Sequence, residues 1–315
     1  MFTRNGVLVC VYREGDALVP KWANVMVTVS KDFGETWSPA HAIAKSSKAQ
    51  EGYCWDSPRI SVLPSGQLAI VANHWFDADA VEVSIWMWRS DDDGRSWSEP
   101  SRVIPEGITP DRICTLPSGR LLFNADCDIS GKPPNGQELY MSDDNGVSWQ
   151  WLSTISNPPM GRASIVVFDE NTLVCYFGRA PIDFHCLKAV SKNSGKTWSR
   201  IHTPIVAHRP CAGLLSSGKM LLTYRFPGAG TYAYIEEKES ALSLEPDKQH
   251  GLLLQLENSG NNYWWDYGYS GWAQLPDSRV FCVYYAKQPT TRMPPKTLAP
   301  SIRGIWFSED DFVHQ

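Results

Sequence analysis

The amino-acid sequence predicts an all-β fold: one six-bladed β-propeller of four-stranded antiparallel blades, filling residues 1–315 as a single domain. Three observations predict it. An eight-residue phrase, S-x-[DN]-x-G-x-[ST]-W, occurs as SKDFGETW from Ser30, SDDDGRSW from Ser90, SDDNGVSW from Ser142 and SKNSGKTW from Ser191. A second repeat, a polar turn between two apolar runs, pivots on Gly6, Gly66, Gly119, Asn171, Gly218 and Ser278. Self-similarity at a period of roughly fifty residues marks stacked or radially arranged β units. Six pivots give six units, and four short strands per unit give propeller blades. The third observation is composition: 43% hydrophobic residues and 14 Trp supply a core, while 22 Pro and 23 Gly suit many short turns. Closed all-β folds of this length are commonly single domains.

The blades follow in order. In the first, TRNGVLVCVYR carries the turn, and residues 1–5 leave room for only a short inner strand, as if Met1 clipped it. The second centres on VLPSGQLAIVANHW, the third on TLPSGRLLFNAD and the fourth on VFDENTLVCYFGR. A copy of the eight-residue phrase follows each of these four turns. Its Asp or Asn hydrogen-bonds the local backbone and its Gly supplies a positive φ. Its Trp covers the back of the turn, so Trp37, Trp97, Trp149 and Trp198 are expected to be mostly buried. The phrase is a folding device and its carboxylates are not catalytic. The fifth blade, around LLSSGKMLLTYR, has lost the phrase near Ser240. The sixth, around QLPDSRVFCVYY, keeps a worn form at Ser308-Glu309-Asp310.

A formal charge of -5 without a basic run argues against a nucleic-acid partner. No apolar run is long enough to span a membrane. The eight cysteines include no C-x-x-C pair, so zinc is not expected, and the residues call for no cofactor. Most of the cysteines fall inside strands, where a thiol acts as a small buried hydrophobe. With no charged-then-apolar leader, a reduced, cytoplasmic protein is expected, or a secreted one if the true start lies upstream of Met1.

Within each blade the first strand runs to the pivot turn and the second returns, so the start of one and the end of the other share a face. That face collects Arg13, Arg59, Arg112, Arg162, Arg179, Arg209 and Arg225, a local excess of arginine in an acidic chain. With them lie Asp56, His74, Trp75, His208 and Tyr269. Arg59 and Arg112 each have an aspartate nearby and serve equally well as braces between blades. His74 and His208 are candidates because imidazole titrates near neutral pH, although a lone histidine is more often structural. Aromatic residues cluster where loops overhang the face, among them Trp75, Trp264 and Trp265, and flat rings with polar edges suit sugar faces.

The eight-residue phrase is the Asp-box, or BNR repeat. With six blades and YSGW before the last strand pair, the chain resembles the sialidase (neuraminidase) superfamily. That resemblance implies a tyrosine nucleophile where Tyr269 opens the sixth blade's inner strand. It implies three arginines on a substrate carboxylate, since a planar guanidinium offers paired donors. Arg179 resembles one of the three, and Arg225 or Arg209 another; the third falls on the first blade's missing inner strand. Arg13, in YREG, resembles a supporting arginine of the family. The family's acid/base aspartate corresponds to Asp16, and Asp56 in WDSPR to an acidic residue lining the pocket. The chain departs from the pattern at Gly161-Arg162-Ala163, where sialidases carry a glutamate, which leaves His208 or Asp266 as substitutes. The resemblance implies an exo-glycosidase for a terminal acidic sugar, sialic-acid-like or a uronate. Two alternatives stand beside it: a polysaccharide lyase or uronate-specific hydrolase using His208 and Tyr269, and a carbohydrate-binding propeller without catalysis.

Overall fold

The computed structural model describes residues 1–16, 22–46, 54–76, 83–109, 111–127, 136–157, 161–178, 185–226, 230–258, 268–286 and 301–313. Its strands form six antiparallel sheets in chain order. The first orders β1 (Leu8–Gly15), β2 (Ala23–Ser30) and β3 (His41–Ala44). The second orders β4 (Cys54–Val62), β5 (Leu68–Trp75), β6 (Val83–Ser90) and β7 (Ser101–Ile104). The third holds β8 (Cys114–Thr115), β9 (Leu121–Asp126), β10 (Gln137–Ser142) and β11 (Gln150–Ser156). The fourth holds β12 (Arg162–Val167), β13 (Leu173–Gly178), β14 (His185–Ser191) and β15 (Ser199–Val206). The fifth holds β16 (His208–Leu214), β17 (Met220–Phe226), β18 (Gly230–Glu236) and β19 (Leu252–Asn258). The sixth orders β20 (Gly268–Gln274), β21 (Val280–Ala286) and β22 (Ser301–Phe307). These are the blades of a six-bladed β-propeller.

The chain divides into two compact units: Met1–Pro159 with Gly195–Thr197, and Met160–Ser194 with Trp198–Gln315. The first contains three sheets and the second the other three. Among the described residues the first and last sheets have three strands where four are expected. In the first, the inner position is reduced to the Phe2–Leu8 bridge, with Val9 N–H donating to Met1 O at 2.8 Å.

Five of the six pivot turns share one construction, while at Asn171 the Asp169 carboxylate accepts from the Asn171 and Thr172 N–H groups instead. Leu63 N–H donates to Gln67 O and Gly66 N–H to Leu63 O, both at 2.8 Å, with Gly66 at φ 92. This is a type I turn closed by a left-handed residue. Ser278, at φ 69, takes the glycine's place in the last blade.

The eight-residue phrases close on themselves. Ser90 Oγ accepts from Gly94 N–H at 2.9 Å and donates to Asp92. Asp92 accepts from Arg95 N–H, Ser96 N–H and the Ser96 hydroxyl, and Trp97 Nε1 donates to Gly94 O at 3.1 Å. In the first phrase the Thr36 hydroxyl and backbone N–H pull the Asp32 carboxyl down to about 2. The residue before each phrase glycine, Phe33, Asp93, Asn145 or Ser194, adopts the left-handed conformation at φ 59. The four tryptophans are only partly buried, a milder burial than expected. Trp97 and Trp149 pack against the edges of the first unit's apolar clusters.

In the fifth blade a short helix, α1 (Lys238–Leu242), stands where the phrase is lost. Glu236 ends β18 as Ser90 ends β6, and it accepts from the Tyr176 and Ser240 hydroxyls, each at 2.5 Å. Lys188, fully buried, donates to Ser240 O at 2.8 Å. Burial pushes the Glu236 carboxyl up and the Lys188 ammonium down from their ordinary ranges. Buried thiols are equally shifted: burial raises Cys10 to about 11 and Cys127 to about 12. No helix among the described residues is long and apolar enough to cross a membrane.

Candidate functional site

Three inner strands begin with the same irregularity. The register slips between Asp56 and Arg59 in β4, between His208 and Cys211 in β16, and between Gly268 and Gly271 in β20. The second residue of each bulge is left-handed: Ser57 at φ 51, Arg209 at φ 57 and Tyr269 at φ 54. Bulges re-aim side chains at strand ends, and non-glycine residues held at positive φ cluster at functional sites.

In the second unit this device brings four predicted residues together. The Tyr269 ring, half-buried, has the Arg209 guanidinium carbon 4.4 Å from its centroid and that of Arg225 at 5.5 Å. Both distances fit cation–π contact, with charge against the ring face. Arg225 is buried, and its Nη2 donates to His208 Nδ1 across the β16–β17 pairing, where the two residues are direct partners. Burial pushes the His208 imidazole down to about 3, reinforced by the charges of Arg225, Arg209 and Arg162. The ring is therefore neutral at physiological pH. Arg162, half-buried, opens β12.

Two glycines make this approach possible. A Cβ on Gly268 would lie 2.9 Å from Arg225 Cβ, and one on Gly178 would lie 2.7 Å from Arg209 N. Hydrogen bonds then fix the strands. Ser270 Oγ donates to Thr223 Oγ1 at 2.8 Å, Trp272 Nε1 to Cys211 O at 3.0 Å, and Ala212 N–H to Ser164 Oγ at 2.8 Å. Neither glycine was singled out by sequence reasoning, although Gly178 directly precedes Arg179 and Gly268 directly precedes Tyr269.

The first unit brings together other predicted residues. Arg13 Nη1 lies 3.4 Å from Asp56 Oδ1, and Ser57 Oγ donates to Asp56 Oδ2 at 3.0 Å. Asp16 is exposed at the bend that ends β1, and Trp75 is half-buried at the end of β5. The His74 ring is enclosed by aromatic rings, with centroids at 4.1 Å for Trp55, 4.4 Å for Phe76 and 6.0 Å for Trp86. Burial, and then the Arg102 charge, push His74 down to about 4. That enclosure gives His74 the environment of a core aromatic residue. Arg179, Trp264, Trp265 and Asp266 lie outside the described residues.

Solved structures share this fold. A protein of unknown function from Dyadobacter fermentans is 21% identical with a TM-score of 0.79, over 97% of this chain and 92% of that one. The intramolecular trans-sialidase from Ruminococcus gnavus, in complex with oseltamivir carboxylate, is 13% identical with a TM-score of 0.73, over 99% and 94%. The NanB sialidase from Streptococcus pneumoniae is 14% identical with a TM-score of 0.73, over 99% and 68%. Such identities carry the likeness of fold alone. No curated protein matches the chain in sequence. The model of the BNR repeat-like domain matches residues 6–282. With its Asp-box turns and six sheets, the chain belongs to the BNR repeat-like domain family, and its fold is that of the sialidase-like propellers.

Proposed function

We propose that this protein is a sialidase-like exo-glycoside hydrolase that removes a terminal acidic sugar from a glycan. The observation that carries the proposal is the Tyr269 ring, half-buried at a strand mouth and faced by the guanidinium groups of Arg209 and Arg225. Paired guanidinium donors suit a carboxylate, and a tyrosine beside them suits the glycosidases that depart from the two-carboxylate scheme. Tyr269 is the nucleophile: its hydroxyl proton passes to Asp266, assigned on sequence grounds, as its oxygen bonds to the anomeric carbon and the glycosidic bond breaks, and water then adds to that carbon and frees the tyrosine oxygen, which takes its proton back. Arg209 and Arg225 hold the carboxylate, and Arg162 adds positive charge. On sequence grounds Arg179 joins that clamp, Trp264 and Trp265 form a sugar-binding wall, and Asp16 delivers the proton to the leaving group.

The lyase alternative is weaker because it needs His208 as a base. General bases work best with a pKa near the operating pH, and an imidazole held near 3 is a poor proton acceptor at neutrality.

The test is fluorogenic glycosides of N-acetylneuraminate and glucuronate against neutral glycosides, with wild type and Tyr269→Phe. Wild type should cleave an acidic glycoside, and the variant should keep its thermal midpoint while losing about 10³-fold in turnover, roughly 4 kcal/mol of transition-state stabilisation. An equally active variant removes Tyr269 from the reaction. Binding without cleavage would make the chain a lectin-like propeller, and an unsaturated product would make it a lyase.

A further inference from the structure

The three bulged inner strands differ at the residue after the left-handed one. In β4 the left-handed Ser57 is followed by Pro58, and in β16 the left-handed Arg209 by Pro210. A proline ring fixes its own φ, so each of those bulges carries a covalent brace. In β20 the left-handed Tyr269 is followed by Ser270, which has no such ring. The pairing there runs from Gly268 opposite Tyr285 to Gly271 opposite Val283, so Tyr269 and Ser270 together oppose the single residue Tyr284. Glycines flank the pair on both sides, and glycine restrains the backbone least. A strained residue persists only where its surroundings over-determine it, and β20 itself supplies little of that.

Restraint comes from the neighbouring blade. Ser270 is 3% exposed, and its Oγ donates at 2.8 Å to Oγ1 of Thr223, itself fully buried. Thr223 lies on β17 two residues before Arg225, so the two side chains leave that strand on the same face. The strand that receives the Ser270 hydroxyl is therefore the one whose guanidinium faces the Tyr269 ring, with its carbon 5.5 Å from the centroid. We propose that Ser270 is a positioning residue: its hydrogen bond to Thr223 locks the β20 bulge to β17 and so aims Tyr269 at the ligand. It does for this bulge what proline does for the other two. A bond between blades also sets the distance of the bulge from β17, which a proline within β20 would leave free. The proposal takes Tyr269 as the nucleophile from the reading above, and its test separates the two.

The experiment uses the full chain with Ser270→Ala, Thr223→Val and Thr223→Ser. The first two remove the bond from either end, and the third keeps the hydroxyl while dropping a methyl. Labelling tyrosine with carbon-13 at Cζ gives each ring a signal, and that of Tyr269 is assigned by its loss in Tyr269→Phe. In Ser270→Ala and Thr223→Val this signal should shift or broaden, while those of the buried Tyr176 and Tyr234 in the same unit stay in place. Thr223→Ser should match wild type. On a fluorogenic acidic glycoside Ser270→Ala and Thr223→Val should lose about ten- to a hundredfold in kcat, the scale for an ångström of misplacement, with KM changed less than about twofold. An unmoved Tyr269 signal in Ser270→Ala overturns the proposal. So does a shift shared with Tyr176 and Tyr234, which would mean a general loosening, or a loss confined to KM. Equal damage from Thr223→Ser and Thr223→Val overturns it too, since the methyl and not the bond would then matter. Should wild type cleave no acidic glycoside, the nucleophile reading falls, and the Tyr269 signal alone decides whether Ser270 holds the ring.

Discussion

Tyr269 occupies a left-handed backbone conformation that costs an L-residue about 1–2 kcal/mol. The bulge that imposes it turns the ring toward Arg209 and Arg225. Nothing in the neighbouring letters announces this, because the positive φ falls on Ser57, Arg209 and Tyr269 and not on glycine. The position of Tyr269 at a strand start and the presence of Arg209 and Arg225 on its face were legible from the repeat; the stacking of both guanidinium groups on its ring was not, since bulges set it. His74 shows the opposite case. Chemistry made it a candidate, and the aromatic rings around it explain its residence in the interior. Its pKa falls from 6.5 to about 4 on folding, so between those values the unfolded chain binds a proton that the folded chain refuses. Stability should be complete above pH 6.5 and should fall on acidification toward pH 4, by up to about 1.4 kcal/mol per pH unit. His208 extends the same trend toward pH 3. In His74→Phe the thermal midpoint should depend less steeply on pH in that window; an unchanged slope would assign the acid sensitivity elsewhere.

At the scale of elements, the Asp-box turns were readable because the bonds that shape each turn are local. Asp92, Ser96 and Trp97 meet within one phrase, so the sequence order is the contact order. Trp97→Ala should cost about 2–3 kcal/mol in denaturant unfolding, below the 3–5 kcal/mol of a fully enclosed large ring, because Trp97 is only partly buried. A loss below about 1 kcal/mol would mean the ring contributes little to closing its turn. Ser278 offers a gain. It sits at φ 69 where Gly66 and Gly218 serve the other turns, and it is exposed. Ser278→Gly removes left-handed strain and should raise stability by as much as about 1 kcal/mol, measured as a higher denaturant midpoint. A lower midpoint would show that the greater freedom of glycine in the unfolded chain outweighs that relief. The fifth blade's clasp was illegible for the reason the boxes were legible: Tyr176, Lys188, Glu236 and Ser240 come from three separate segments.

For the whole molecule, that clasp is the feature to test. Removing one member of a buried charged group strands the others, at a typical cost of about 3–5 kcal/mol. Glu236→Ala should therefore lower global stability by that order, and adding Lys188→Met should restore part of it. The check is the denaturant midpoint of each variant and the double-mutant coupling between them; simple additivity would show that Lys188 and Glu236 do not share one network. The box turns carry a different implication. The bonds that shape each phrase draw on no residue at the far end of its own strand: Ser90 bonds to Asp92 and Gly94, away from His74 and Val83. Inheritance of the scaffold is thereby uncoupled from inheritance of the reaction. A lineage can rewrite those far strand ends while the box turns continue to specify the sheets that carry them. Chains sharing 13% to 21% of their residues can then remain recognisably the same molecule in shape while diverging in what they act upon.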